Sequence, residues 1–161
     1  MSFVRNNWYV GAWRHEVGDR PFARRILDLP VVFFRRADGR PAALLDRCPH
    51  RLLPLSKGTV VGDTLQCGYH GMCFDGEGHC TRVPAQTRIP SDAQVRAFPV
   101  VEHWGMVWIW IGEPEKADPA RLFRALPWGE PGWTLNIGPY THVKADYRLL
   151  VENLLDPVHV T

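Results

Sequence analysis

Two short runs in this chain each hold one cysteine and one histidine: Cys48-Pro49-His50-Arg51 and Cys67-Gly68-Tyr69-His70-Gly71. Sixteen residues separate the two pairs. Two thiols and two imidazoles make a complete four-donor set for a metal centre, so the fold must bring both runs to one place. The spacers suit that task. Pro49 stiffens the first loop, while Gly68 and Gly71 let the second loop's backbone approach an inorganic group without a Cβ in the way.

Mixed ligation of this kind is what a [2Fe-2S] cluster of the Rieske type needs, with two thiolates on one iron and two imidazoles on the other. Neutral imidazoles remove negative charge and raise the potential, and amide hydrogen bonds to the thiolates tune it further. The same donors also suit a tetrahedral Zn²⁺. Donor identity alone therefore leaves open a one-electron relay and a structural zinc. Four unrelated residues are a third reading, but two matched pairs in proline- and glycine-bearing loops argue against coincidence.

At 161 residues the chain holds one ordinary domain, or a small domain and part of another, and 45% hydrophobic content supports a core. A net charge of +2 with scattered basic residues gives no case for nucleic acid. The first ten residues lack a secretory pattern, and no apolar run of about 18 residues is present to cross a bilayer. These features lead to the expectation of a soluble cytoplasmic protein with no membrane partner. Cys73 and Cys80 flank the turn signal Asp75-Gly76-Glu77-Gly78 and are expected as reduced, partly buried thiols, although a hairpin there would let them face each other.

Periodicity predicts mostly strands, over residues 31–36, 42–46, 64–66, 72–75, 79–83, 95–102 and 106–111. Asp38-Gly39 and His103-Trp104-Gly105 supply hairpin turns. In the last strand Val107, Ile109 and Ile111 share one face and Met106, Trp108 and Trp110 the other, so both faces are covered and the tryptophans read as core or interface. Texture then changes to Pro, Glu, Asp and Ala. The expected division is 1–112, a connecting segment 113–132 with a short helix over 119–125 capped by Asp118, and 133–161 as the start of a second unit.

That second unit is expected as a strand over 133–144 and a helix over 146–155. Glu152, Asp156 and His159 stand at i, i+4 and i+7, on one face of a continuous helix, although Pro157 removes a hydrogen bond to the Asn153 carbonyl and opens the turn. An acidic and imidazole face of this sort is commonly just solvated.

The chain resembles the N-terminal part of a Rieske non-haem iron oxygenase α subunit, close to the vanillate O-demethylase type of aromatic ring-hydroxylating enzyme. The residues that carry the resemblance are Asn7-Trp8-Tyr9-Val10, both metal loops with their flanks from Asp46 and Leu65, Val107-Trp108-Ile109-Trp110, and Glu152 through His159. The fold it implies is mainly β: a Rieske domain of antiparallel sheets with the cluster in two loops, followed by the first strand and helix of an α+β catalytic domain. Respiratory Rieske proteins are similar but carry an extra, disulfide-bonded cysteine in each loop. Leu53 and Tyr69 stand there instead.

By the same resemblance Cys48, His50, Cys67 and His70 hold the [2Fe-2S] cluster, and His159 is one ligand of a mononuclear Fe(II) that activates O₂. Asp156 is the carboxylate that bridges to a Rieske histidine of a neighbouring subunit in a homotrimer, and Asn153 lies beside the iron. The implied partners are an NAD(P)H-dependent flavin and iron–sulfur reductase and an aromatic substrate, which is hydroxylated or oxidatively demethylated. The second iron histidine and the aspartate ligand of such enzymes lie past Thr161. The chain is accordingly expected to be a truncated piece that alone only carries electrons. The alternative is a stand-alone Rieske ferredoxin, against which the segment 133–161 weighs.

Overall fold

The computed structural model describes residues 3–122, 127, 130–134, 136, 138, 141–156 and 158. It divides into two units, 1–126 and 127–161, each taken by itself below.

Three antiparallel sheets form the first unit. β1 (Asn7–Trp13), β11 (Met106–Ile111) and β10 (Val100–His103) make the first, in the order β1-β11-β10. β2 (Phe22–Ile26), β3 (Leu29–Arg35), β4 (Pro41–Leu45) and β9 (Ala97–Phe98) make the second in that order, and β5 (Thr59–Val61), β6 (Thr64–Gln66), β7 (Cys73–Phe74) and β8 (Cys80–Arg82) make the third.

The sequence of β3 explains how the sheets are layered. Val31, Val32, Phe33 and Phe34 are all fully buried, because side chains alternate faces along a strand and both faces of β3 are covered. Val31 and Phe33 pack with Val107, Ile109 and Ile111 of the first sheet. Val32 and Phe34 pack with Leu55, Leu65, Phe74, Cys48 and Cys67. The middle sheet thus separates two cores, and one of them contains both metal-loop cysteines.

Local chemistry sets the turns. Trp104 and Gly105 both have positive φ, 52° and 72°, the backbone of a two-residue type I′ hairpin between β10 and β11. Leu27 and Asp28 do the same between β2 and β3 at 47° and 65°, without a glycine. At Gly78 (φ +85°) an added Cβ would meet the Val95 carbonyl oxygen at 1.9 Å, so the turn before β8 requires glycine twice over.

Several expectations are corrected. The run 95–102 is not one strand: it breaks at Pro99, which has no amide hydrogen to donate, and the chain crosses there from β9 in the second sheet to β10 in the first. The capped helix over 119–125 is a single 3-10 turn, Pro119–Arg121, with the Asp118 carboxylate accepting from the Ala120 amide at 2.9 Å; residues 123–126 lie outside the described set. Of the two tryptophans in β11, Trp110 is core and Trp108 is half-buried against it. Trp8 and Trp110 meet edge to face at 5.4 Å beside buried Leu122, and their indole N–H groups donate to the Asp118 and Glu113 carbonyls.

In the second unit the strand expected over 133–144 is not formed by its described residues, since a strand exists only where a neighbour pairs with it and no described residue there does so. The helix is present as α1, Tyr147–Leu155, with Asp146 as N-cap accepting from the Arg148 amide at 3.0 Å. It ends before Asp156, whose φ and ψ of −94° and 98° are extended, so Glu152 and Asp156 do not continue one helical face. His159 lies outside the described residues.

Candidate metal centre

The two metal loops repeat one backbone plan. β4 leads into the first, where the Cys48 amide donates to the Leu53 carbonyl at 2.9 Å and the Leu52 amide returns to the Cys48 carbonyl at 2.9 Å. β6 leads into the second, where the Cys67 amide donates to Met72 at 2.7 Å and the Gly71 amide to Cys67 at 3.1 Å. Each loop closes on a residue of positive φ, Leu52 at 58° and Gly71 at 73°. The cysteine of each loop therefore starts a five-residue turn, and its histidine stands on the outer bend.

Neighbouring segments clamp the loops. The Asp46 carboxylate accepts from both the amide and the hydroxyl of Ser56 at 2.7 Å, which ties the start of the first loop to the 3-10 turn Leu55–Lys57. That turn lies directly under the second loop: a Cβ on Gly68 would stand 2.6 Å from the Lys57 carbonyl oxygen, and one on Gly58 only 1.9 Å from that of Gln66. Sequence reasoning singled out Gly68 but missed Gly58 and the Asp46–Ser56 clamp. Glycine beside a short polar turn was the available signal.

All four predicted donors converge. Cys48 and Cys67 are 2% and 3% exposed, and their thiols lie within hydrogen-bonding reach of each other. His50 and His70 are exposed, with their Nδ1 atoms 3.0 Å apart. Burial pushes the Cys48 thiol above its ordinary range; the amides of His50 and Arg51, donating to sulfur, pull it down, and the adjacent Cys67 thiol pushes it further up. A cationic metal reverses that balance and makes two adjacent thiolates acceptable.

The donors are sorted sulfur with sulfur and nitrogen with nitrogen. A lone tetrahedral zinc would take all four donors on one ion, whereas the contacts here pair Cys48 with Cys67 and His50 with His70. Two ligands on each of two irons is the Rieske arrangement. The 3.0 Å between the Nδ1 atoms is also near the edge of roughly 3.3 Å expected for two nitrogens on one tetrahedral metal with bonds of about 2.0–2.1 Å. The residues present fit the binuclear group.

Beside the imidazoles opens a cleft of ≈ 520 Å³ walled by Pro49, Met72, Val83 and Pro84. Tyr69, 58% exposed, lays its ring on that of His70 with centroids 3.8 Å apart. Cys73 and Cys80 are free and buried in adjacent strands; burial pushes the Cys80 thiol up. In the second unit Asn153 and Asp156 are exposed, and the Asp156 carboxylate accepts from the Val158 amide at 3.0 Å. Among the described residues no helix is long and apolar enough to cross a membrane.

Comparison with known proteins agrees with this geometry. The family model described as Rieske [2Fe-2S] domain matches residues 7–99. The oxygenase component of dicamba O-demethylase from Stenotrophomonas maltophilia is 46% identical over 99% of this chain and 47% of its own length. The vanillate O-demethylase oxygenase subunit of Pseudomonas sp. (strain HR199 / DSM 7063) is 41% identical over 99% of this chain and 44% of its own. A crystal structure of dicamba monooxygenase bound to dicamba superposes with a TM-score of 0.93 at 45% identity, over 99% of this chain and 48% of that one. The chain thus spans about half the length of the relatives it matches.

Proposed function

Because the chain belongs to the Rieske [2Fe-2S] family, we propose that it is the electron-receiving portion of an oxygenase component in a multicomponent aromatic oxygenase. The observation that carries this reading is the sorting of donors into a buried thiol pair and an exposed imidazole pair. A cluster held by Cys48, Cys67, His50 and His70 supplies reversible one-electron transfer at a potential above that of all-cysteine clusters.

The chain's own groups have separable tasks. Amides of His50 and Arg51 donate to the Cys48 sulfur and favour its thiolate. Facing Nδ1 atoms leave each Nε2 on the outer side of an exposed ring, where it donates to whatever docks there. The core shared with Phe34, Leu55 and Phe74 keeps water from the sulfur side.

In the intact protein, electrons come from an NAD(P)H-dependent flavin and iron–sulfur reductase. Asp156 accepts a hydrogen bond from His50 or His70 of a neighbouring copy in a homotrimer, and His159 is one ligand of a mononuclear iron. The substrate is an aromatic small molecule, hydroxylated or demethylated with O₂, and the site of action is the cytoplasm. The relatives named as O-demethylase components support this class of substrate.

Metal analysis and low-temperature EPR of the reduced full-length protein test the reading. Two irons per Rieske site and a signal lost in Cys48→Ser are expected; a colourless, zinc-loaded protein would overturn it. For Asp156→Asn, unchanged cluster absorbance with slowed single-turnover electron delivery is expected, and unchanged delivery would remove the bridging role.

A further inference from the structure

Two sheets diverge at Pro99. β9 pairs with only Ala43 and Leu44 of β4, and past Pro99 the chain continues as β10, which among the described residues pairs with β11 alone. The start of β4 and the whole of β10, each without a strand on one side, both line a cleft of ≈ 1090 Å³. Its apolar walls are Pro41, Ala42, Pro99, Val100, Val101 and Pro114. All the residues that line it lie in the first unit, and none belongs to either metal loop.

Charge in this cleft is not balanced. Its carboxylates are all taken: Glu102 by Arg35 at 2.5 Å and Arg14 at 3.7 Å, Asp38 by Arg40 at 2.6 Å, and Glu77 by Arg36 at 3.1 Å. Guanidinium donors are left over. Arg96 forms no ion pair with a described residue; it reaches the Gly112 carbonyl only at 3.5 Å, and its guanidinium lies over the Phe98 ring, 4.8 Å from the centroid. Arg36 Nε, 3.7 Å from the Asp38 carboxylate, is buried without a hydrogen-bond partner among the described residues. Arg14 keeps 70% of its side chain in solvent.

A guanidinium stacked on an aromatic ring is held in one plane and keeps its N–H edge for a carboxylate fork. Surplus donors repel a cation and attract an acid, while proline and valine walls favour a ligand that also carries apolar surface. We propose that this cleft binds a small organic acid with a flat apolar body, its carboxylate on the Arg96 guanidinium and its body against the walls of β4 and β10. An inorganic oxyanion satisfies the guanidinium but covers none of the walls, and a neutral ring does the reverse. The site stands on its own residues and does not depend on the role given to the cluster above.

The test uses the full-length holoprotein and para-azidobenzoate, a photoreactive aromatic carboxylate. After illumination the cross-linked peptides are mapped by mass spectrometry. Label is expected on the lining segment 94–102. Excess benzoate is expected to suppress that label at least about tenfold, and benzamide, of the same shape but uncharged, is expected to leave it. Arg96→Gln should reduce labelling by a similar factor, and Arg96→Lys, which keeps the charge without the fork, by less. Arg96 is exposed, so both variants are expected to keep the wild-type Tm. The contrast between benzoate and benzamide decides the matter in the wild type alone if they do not.

No label in the cleft, or label that benzoate and benzamide suppress equally, overturns the proposal. So does undiminished labelling in Arg96→Gln of wild-type Tm. Suppression by sulfate as strong as that by benzoate, at equal ionic strength, would open the cleft to any oxyanion and overturn the organic-acid class. None of the labelling readouts uses the cluster, so they stand apart from any failure of the electron-receiving role.

Discussion

At the scale of single residues, the four donors divide their work by exposure. The buried cysteines anchor the group in the core, and the exposed histidines present its working edge. Replacing both histidines by cysteine should return the ligand set to the all-thiolate type and lower the reduction potential toward about −400 mV, measured by EPR-monitored redox titration. A potential unmoved by that change would mean the histidines are not ligands. Asp46 works one step away. Its carboxylate holds Ser56 twice, so Asp46→Ala should cost about 2–3 kcal/mol in denaturant unfolding and speed loss of the cluster's colour to a chelator. The donors themselves were legible from spacing and residue type, because ligation chemistry is a property of side chains. The clamp was not, since nothing local in Asp46 names Ser56 as its partner.

At the scale of elements, strands with strong alternation were legible and those with weak signals were not. β11 and β6 have the bounds their sequences imply, while β1, β2 and β5 were not predicted. β2 carries two arginines, and its turn uses Leu27-Asp28 rather than a glycine, so only pairing with β3 reveals it. The second metal loop depends on what lies beneath it. Gly58→Ala would force a Cβ into the Gln66 carbonyl, and the expected result is lower thermal stability together with incomplete cluster incorporation, read from the iron-to-protein ratio. At α1 the Arg148 side chain and amide hold the Asp146 carboxyl down at about 2, against 3.8 for an ordinary aspartate. A depressed folded value means the cap's contribution is complete above about pH 4 and is lost as pH falls through about 2. Titration of the Arg148 amide resonance should show that midpoint, and Asp146→Ala should remove it and fray the first turn.

At the scale of the whole first unit, the middle sheet separates two cores, and only one of them carries the metal loops. Phe33→Ala and Phe34→Ala should each destabilise by about 3–5 kcal/mol in chemical denaturation. Only Phe34→Ala should also alter the cluster's visible spectrum and potential, because Phe34 shares a core with Cys48 and Cys67 whereas Phe33 faces β11. Identical spectra in both variants would show that the two cores are not independent supports for the site. From the amino-acid order alone came the donor set, the loop punctuation, the burial of Trp110 and the cap at Asp118, all of which depend on side-chain chemistry or on residues a few positions apart. Tertiary structure alone decided that β3 is covered on both faces, that Pro99 moves the chain between sheets, and that the Leu55–Lys57 turn supports the second loop. It also decided that the donors sort into a buried thiol pair and an exposed imidazole pair. Those outcomes rest on contacts between residues far apart in the chain, and packing of that kind is set only when the sheets close on one another.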